Sequence, residues 1–205
     1  MLAKIKSFIE HQQFFPGFWG IFFNACYFDR KHLLRAVRKH APQITGKLLD
    51  YGCGSKPYKS LFANVTQYVG VDIDNNPGHD HKNEDIDLFY DGVHLPFGNG
   101  EFDAVFSSQV LEHVPNIHHS LSEMHRVMKP GGHVLLTLPF VFPEHEVPND
   151  YRRLTVYGIR QALKECGFEI ISAEKLGSSF EVLIQLITLQ FCKLLYVNKL
   201  KCGGG

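Results

Sequence analysis

The apolar positions of the chain follow two periodicities that alternate along most of its length. Short continuous apolar runs, typical of strands buried on both faces of a parallel sheet, occur at 47–51, 68–73, 85–90, 101–106, 133–138 and 168–176. Helical spacing of apolar residues occurs at 29–40, 117–128, 156–166 and 180–197. This alternation predicts an α/β protein with a Rossmann-like, doubly wound, mostly parallel sheet flanked by helices.

The patterns divide the chain into three predicted regions. An aromatic and helical cap spans 1–45, an α/β core spans 46–177, and an apolar helix with a tail spans 178–205. At 205 residues the chain is long enough for one domain with a sizeable core. Oligomeric state, and whether the natural chain continues beyond Gly205, stay open.

A glycine turn and two acids mark the first pair of strands as a ligand site. The turn Gly52-Cys53-Gly54-Ser55 follows the first strand, and the second strand ends on Asp72 and Asp74. Glycines allow a sharp turn and close approach of a ligand, and an acid about 20 residues further on can bind both hydroxyls of a ribose. We therefore predict a strand, a glycine turn, a helix and a second strand that together form a nucleoside-binding crevice.

The residues around this turn disfavour a dinucleotide. The dinucleotide fingerprint requires a third glycine where this chain has Pro57. Asp50, just before the turn, would repel a pyrophosphate but could hold an ammonium group. The pattern suits a ligand that combines a ribose with a cationic amino acid, and it argues against a nicotinamide oxidoreductase.

Later segments give the chain a family resemblance. Residues 107–114 read S-S-Q-V-L-E-H-V, residues 123–132 read E-M-H-R-V-M-K-P-G-G, and L-P-F stands at 95–97. With the glycine turn, these segments resemble the class I S-adenosylmethionine-dependent methyltransferases with a type 11 methyltransferase domain. The resemblance implies S-adenosyl-L-methionine as cofactor and S-adenosyl-L-homocysteine as product. The family's usual seventh, antiparallel strand is left uncertain, because 180–197 has helical spacing.

The resemblance also implies which residues bind the cofactor. Asp91 would accept a hydrogen bond from the adenine amino group, unless it is only a turn residue, and Gln109 would lie near the reactive methyl group. Cys53 is expected to be a small turn residue rather than a nucleophile, and Glu112 and His113 to be structural. The predicted cofactor-binding residues are Asp50, Gly52, Cys53, Gly54, Asp72, Ile73, Asp91, Gly92, Ser108 and Gln109.

The loop 139–153 is the candidate site for the methyl acceptor. It follows the fifth strand, at the sheet edge where ligands bind in such folds, and it is dense in charged residues. If the acceptor is a hydroxyl, His145 is the best-tuned base near pH 7, with Glu146 and Tyr151 as second choices. A carbon acceptor or a neutral amine would not require a base. The alternative is a well-bonded structural loop.

Composition and residue spacing argue against several other classes of protein, although a local basic patch stays open. Lysine plus arginine equals aspartate plus glutamate, which removes the electrostatic case for nucleic acid. The five cysteines form no C-x-x-C pair, so neither a zinc knuckle nor a disulfide framework is predicted. Of the twelve histidines, the groups at 79–81 and 118–119 lack the spacing of known metal sites. No metal site is predicted.

Both ends of the chain are apolar without being typical membrane spans. Pro16, Gly17 and Gly20 interrupt the aromatic run at 14–23, which argues against a signal peptide or a span. These aromatics either wall the acceptor pocket or lie in a membrane interface. We expect a cytoplasmic protein with a small-molecule, sugar or lipid-linked acceptor and, as an alternative, peripheral membrane contact. The sequence is also compatible with a cofactor-binding module without turnover, or with a membrane-surface scaffold.

Overall fold

The computed structural model describes residues 8, 11–73 and 85–202, which form two compact units. One unit comprises residues 39–174, and the other comprises residues 1–38 with 175–205. The helices are α1 (Gly20–Phe23), α2 (Tyr27–His40), α3 (Ile117–Val127), α4 (Val156–Glu165) and α5 (Ser179–Cys202). Helix α2 begins at Tyr27, earlier than the helical run predicted from residue 29. Just before it, the Asn24 side chain accepts a hydrogen bond from the N–H of Cys26.

The unit of residues 39–174 is built on one parallel sheet. Its strands are β1 (Gly46–Tyr51), β2 (Val65–Ile73), β3 (Leu88–Tyr90), β4 (Phe102–Ser108) and β5 (Met128–Thr137). They lie in the order β3-β2-β1-β4-β5, and every neighbouring pair is parallel. This topology confirms the predicted Rossmann-like fold.

The strand order creates a crevice between β1 and β4. The chain moves outward from β1 to β3 and then crosses back, so that Asp50 near the end of β1 pairs with Gly70 on one side and Phe106 on the other. Ligands bind in open α/β sheets where the strand order reverses in this way. The predicted cofactor residues Asp50, Ser108 and Gln109 therefore lie at the carboxyl ends of β1 and β4, beside this crevice.

Buried strands and the apolar face of α3 make the core of this unit. Leu49 and Val105 are fully buried, and so are Leu121, Met124 and Val127 on α3. Asn116 caps α3 by accepting the N–H of His119, as short polar side chains do at helix starts.

The prediction of an α-helix between β1 and β2 is wrong. The structure has only a single 3-10 turn there, Lys59–Leu61. Lys56 has a left-handed backbone with φ 50° and is followed by Pro57, so the first part of a short connection cannot be α-helical. The buried Lys56 side chain instead crosses β2 to Asp87, with Nζ to Oδ2 at 2.7 Å. Only glycine fits beneath it, because a Cβ on Gly70 would lie 2.3 Å from Cε of Lys56.

The strand predicted at 168–176 is also wrong. Within the part of the chain that the structure describes, this segment pairs with no strand, and the sheet ends at β5. Ile171 is 81% exposed, so its apolar run is not buried as a central strand requires. Glu174 is instead tied to Lys39 and His40.

In the other unit, α5 packs on α2 through polar side chains. Glu181 bonds His32 at 2.9 Å, and the Gln185 side chain accepts from the N–H of Phe28 and donates to the carbonyl of Ala25. Large apolar side chains of α5 are exposed: Phe180, Leu183, Ile187, Phe191 and Leu194. Among the described residues, no helix has both the length and the apolar character needed to cross a membrane.

Candidate active site

The turn after β1 presents backbone rather than side chains. Gly52 and Gly54 have φ of 71° and 45°, in the left-handed region that glycine tolerates. The N–H groups of Gly52 and Cys53 both donate to the carbonyl of Val71, at 2.9 and 3.0 Å. A Cβ on Gly52 would lie 2.5 Å from Val110, so the turn packs closely against the segment that follows β4.

Asp72 lies at the end of β2 and is bonded to the same turn. Its Oδ2 accepts from the N–H of Gly54 at 2.8 Å, and its Oδ1 accepts from the N–H of Ile73 at 2.8 Å. A carboxylate oxygen has lone pairs for more than one donor. The fixed carboxylate therefore still has acceptor capacity for ribose hydroxyls.

Asp50 is a buried acid beside this turn. It is only 3% exposed, and the hydroxyl of Tyr68 donates to its Oδ2 at 2.5 Å. Burial raises the pKa of Asp50 to about 7, and the nearby Asp72 adds to the rise. A cationic group beside Asp50 would favour its ionised form, so this carboxyl fits the ammonium group of an amino-acid moiety.

Asp91 and Gly92 follow the end of β3, and Gly92 lies beside Ile73 at the end of β2. Asp91 Oδ1 accepts from the N–H groups of Val93 and His94, both at 2.8 Å, and these bonds hold its pKa below the ordinary value. A Cβ on Gly92 would lie 3.5 Å from Ile73. Asp91 thus has a role in its own turn, and its adenine contact stays a prediction.

Ser108 and Gln109 form the rim of β4. The Thr137 hydroxyl donates to Ser108 Oγ at 2.9 Å, and the N–H of Gln109 donates to the Thr137 carbonyl at 3.0 Å. Gln109 has φ 59°, a left-handed backbone that is uncommon outside glycine and is enriched at functional sites.

Cys53 has the environment of a packing residue. It is buried, and burial together with Asp50 and Asp72 raises the pKa of its thiol well above the ordinary value. Because the thiolate is the nucleophilic form, these surroundings disfavour reactivity. Asp74 and the histidines at 79–81 lie outside the described residues.

Arginine side chains fasten the loop 139–153 to the segment after β4. Arg152 donates to the carbonyls of Leu111, Val114 and Pro115, and the N–H of Tyr151 donates to the carbonyl of Glu112 at 2.9 Å. Arg153 holds Asp150 through two bonds of 2.5 and 2.7 Å, which keep the pKa of Asp150 far below its usual range. These three charged groups stabilise the loop itself.

The predicted acceptor-side residues lie close to His113. Nε2 of His145 is 3.1 Å from Nε2 of His113, and the Glu146 carboxylate is 4.0 Å from the same nitrogen of His113. Tyr151 is 47% exposed, and its hydroxyl donates to the Asn149 side chain at 3.2 Å.

Sequence reasoning gave Glu112 and His113 only a structural role. The signal that could have linked them to the loop is a repeated acid and histidine pairing. Glu112-His113 follows β4, and His145-Glu146 follows β5, which is the neighbouring strand. Carboxyl ends of neighbouring parallel strands meet at one edge of the sheet.

Several known proteins are similar to this chain in sequence and in fold. Residues 49–136 match the methyltransferase domain family. An uncharacterized methyltransferase of Mycobacterium leprae is 36% identical over 103 residues, covering 47% of this chain and 38% of the relative. The demethylmenaquinone methyltransferase of Staphylococcus epidermidis is 33% identical over 116 residues, covering 52% of this chain and 47% of the relative. The chain thus spans less than half the length of either relative.

A solved structure agrees with these matches. Phosphoethanolamine N-methyltransferase 2 of Haemonchus contortus, in complex with S-adenosyl-L-methionine, superposes with a TM-score of 0.55 at 25% identity, covering 82% of this chain and 44% of that one. The sheet order defines an α/β protein with a Rossmann-like fold, and the glycine turn and fixed acids are those expected of a nucleoside site. Over residues 49–136 the chain is thus similar to the methyltransferase domain family, and it shares its fold with a solved methyltransferase that binds S-adenosyl-L-methionine.

Proposed function

We propose that this chain transfers a methyl group from S-adenosyl-L-methionine to a small-molecule, sugar or lipid-linked acceptor held by the loop 139–153. The observation that supports this most is the Asp72 carboxylate bonded to the N–H of Gly54 at 2.8 Å, beside the buried Asp50. In this proposal Asp72 binds the ribose hydroxyls and Asp50 binds the ammonium group. The acceptor loop follows β5 on the same edge of the sheet.

The residues of the chain have mainly a positioning role in this reaction. When bound, S-adenosyl-L-methionine supplies a methyl group already activated by its sulfonium sulfur. The protein must bind the acceptor in a fixed orientation and exclude water, which can contribute roughly 7–11 kcal/mol. Hydrogen bonds of Arg152 and Arg153 fasten the loop that would hold the acceptor.

His145 is the proposed base for a hydroxyl acceptor. Its ring borders His113 at 3.1 Å, and the exposed Tyr151 and Glu146 lie on the same loop. A histidine can take a proton near neutral pH, and proton transfer of this kind contributes about 10²–10⁴-fold in rate. Glu146 and Tyr151 are the second choices.

We expect His145→Gln to lower kcat for an oxygen acceptor by about 100-fold, because the proton acceptor is lost. Binding of S-adenosylhomocysteine should be unchanged, since the cofactor residues are intact. The assay follows transfer of labelled methyl groups into separate pools of quinones, water-soluble sugars and lipid-linked sugars. His118→Gln is the matched control, because His118 is an exposed helix residue bonded to Glu165.

The assay also separates the methyltransferase proposal from a protein that only binds the cofactor. Binding of S-adenosylhomocysteine without labelling of any pool would favour a cofactor-binding module without turnover. Equal kcat for His145→Gln and the wild type would remove His145 as the base. Failure to bind S-adenosylhomocysteine would contradict the methyltransferase proposal itself.

Peripheral membrane contact is proposed for the unit of residues 1–38 and 175–205. Phe18, Trp19 and Phe22 are 76%, 61% and 68% exposed, and α5 exposes a further row of large apolar side chains. Aromatic residues of this kind are favoured in the membrane interface. Such a contact would bring a lipid-linked acceptor to the enzyme.

We expect the chain to sediment with vesicles of anionic phospholipid, and the double change Phe18→Ser with Trp19→Ser to reduce the bound fraction several-fold. The apolar area lost with these rings drives the binding. Tyr157→Ser is the control, because Tyr157 is an exposed aromatic of α4, 77% exposed, outside this unit. An equal loss in the control, or no sedimentation of the wild type, would exclude this surface.

A further inference from the structure

Three potential metal ligands meet where the segment after β4 contacts the loop 139–153. Glu112, His113 and His145 each offer one ligand atom, and these atoms all lie within 4.8 Å of one another. The two Nε2 atoms of the histidines are 3.1 Å apart, and Glu112 Oε1 is 3.8 Å from Nε2 of His113.

The hydrogen bonds of His113 determine which of its nitrogens carries the proton. Its Nδ1 is 2.9 Å from the carbonyl oxygen of Asn149, and a carbonyl can only accept. Nδ1 must therefore be protonated. In the neutral ring, Nε2 of His113 then presents a lone pair toward His145.

The surroundings of His145 favour the same tautomer. Its Nδ1 lies 3.2 Å from the carbonyl of Pro143 and 3.3 Å from the Asp150 carboxylate, which are both acceptors. Arg153 Nη2 is farther away, at 3.4 Å, and already donates to Asp150 at 2.7 Å. When both rings are neutral, two unprotonated Nε2 atoms face each other at 3.1 Å. Two lone pairs at this distance repel, unless a proton or a metal cation lies between them.

Glu112 supplies an independent sign of a cation. Its side chain is 1% exposed, and within the described residues neither of its oxygens has a hydrogen-bond partner. A buried carboxyl group without a donor is costly, and coordination of a metal ion is one of the few ways to compensate that cost.

We propose that Glu112, His113 and His145 bind one divalent transition-metal ion of the zinc type. Two imidazoles and one carboxylate are a known zinc ligand set that leaves a fourth position open. Two nitrogens on one tetrahedral zinc ion lie about 3.3 Å apart, given zinc–nitrogen bonds of about 2.0–2.1 Å. The histidines, 3.1 Å apart, are already close to this separation, and the Glu112 carboxylate would have to move closer to both of them.

The groups behind the histidines are those of a metal site. The Asn149 carbonyl holds one ring, and the Pro143 carbonyl with Asp150 holds the other, each through Nδ1. Such outer partners fix the orientation of metal-binding imidazoles and strengthen them as ligands. Asp150 is in turn held by Arg153.

The ion would also change the role of His145 in methyl transfer. Only this step rests on the proposed function; the metal site itself does not. A hydroxyl acceptor in the open position would bond to the metal through oxygen, and its pKa would fall. His145 would then be a ligand rather than the base. The hydroxyl proton would pass to Glu146, whose carboxylate lies 4.0 Å from Nε2 of His113.

Metal titration of the tag-free full chain tests the site. After treatment with a chelator, the protein is titrated with Zn²⁺ by calorimetry and with Co²⁺ by visible absorption. We expect one ion per chain for the wild type. Affinity should fall at least tenfold in His113→Ala, His145→Ala and the isosteric Glu112→Gln, and should be unchanged in His118→Ala, whose imidazole is an exposed surface group.

Binding of S-adenosylhomocysteine, measured on the same samples, shows that each variant is folded and separates the two proposals. Loss of metal binding in the variants with retained thioether binding supports the metal site. Thioether binding by a wild type that takes up neither ion contradicts the metal site alone, and leaves the two histidines as a hydrogen-bonded pair. Metal uptake that all three variants retain would place the ion elsewhere, for example at the histidines at 79–81. Metal binding without thioether binding would contradict only the methyltransferase proposal.

Discussion

Replacing Asp72 by alanine is expected to weaken binding of S-adenosylhomocysteine by about 10²–10⁴-fold. Hydrogen bonds to a charged acceptor are worth about 1.5–3 kcal/mol each, and two ribose hydroxyls would lose one each. The change also removes the acceptor for the N–H of Gly54. This hydrogen bond, 2.8 Å from N to Oδ2, holds the glycine turn in place. Calorimetric titration at pH 8 measures the change in Kd.

Two further variants isolate the ribose contact from the support of the turn. Asp72→Asn keeps a carbonyl oxygen for the N–H of Gly54 but removes the charge, so its loss should be smaller, about tenfold. Glu169→Ala removes an exposed acid and should bind as the wild type does. A Kd for Asp72→Ala within threefold of the wild type would exclude Asp72 as the ribose acid.

The parts of the candidate site whose geometry follows from the sequence are those built by neighbouring elements along the chain. The turn Gly52–Gly54 and Asp72 belong to one strand, turn and strand unit, where the need for glycine and for an acid at the strand tip is local. The structure places Gly54 and Asp72 in direct hydrogen-bond contact, 2.8 Å apart. That contact is consistent with their predicted common role.

Elements whose form depends on burial were harder to predict. The run 168–176 has the composition of a strand, but Ile171 is 81% exposed and no partner strand lies within the described residues. The prediction of a helix after the glycine turn was wrong, because the connection is short and the buried Lys56 reaches Asp87 across Gly70. A buried lysine that crosses a strand leaves no periodic signal in the sequence.

The His113 and His145 pair shows the same limit at the acceptor side. The two residues are separated by 32 positions, yet their Nε2 atoms are 3.1 Å apart. Arg152 donates to the carbonyls of Leu111 and Pro115 and so fastens the loop to the segment that carries His113. Motif reading finds each histidine but cannot measure the distance between them.

Asp50 should make cofactor affinity depend on pH. The free protein has a pKa of about 7 at this carboxyl, because the group is buried. Only the ionised form attracts an ammonium group, so affinity for S-adenosylhomocysteine should rise about tenfold from pH 6 to pH 8. Tyr68→Phe removes the donor that favours the charged form, and should move the midpoint of this profile to higher pH. A flat profile in the wild type would contradict the role of Asp50.

The variant Asp50→Asn should bind the cofactor more weakly but fold more stably. Because the folded-state pKa lies above the ordinary value of 3.8, the folded protein holds this proton more tightly than the unfolded chain. The free energy of unfolding therefore falls as pH rises from about 4 to 7, and stays reduced above that range. Asparagine removes the buried charge, so its stability advantage should grow by on the order of 2 kcal/mol between pH 5 and pH 8.

Denaturant unfolding at both pH values measures this difference, and calorimetry at pH 8 should show at least a tenfold loss of affinity. A buried acid that destabilises the free protein and strengthens binding of a cation is the pattern expected of a functional residue, whereas a purely structural Asp50 would make Asp50→Asn less stable at pH 8.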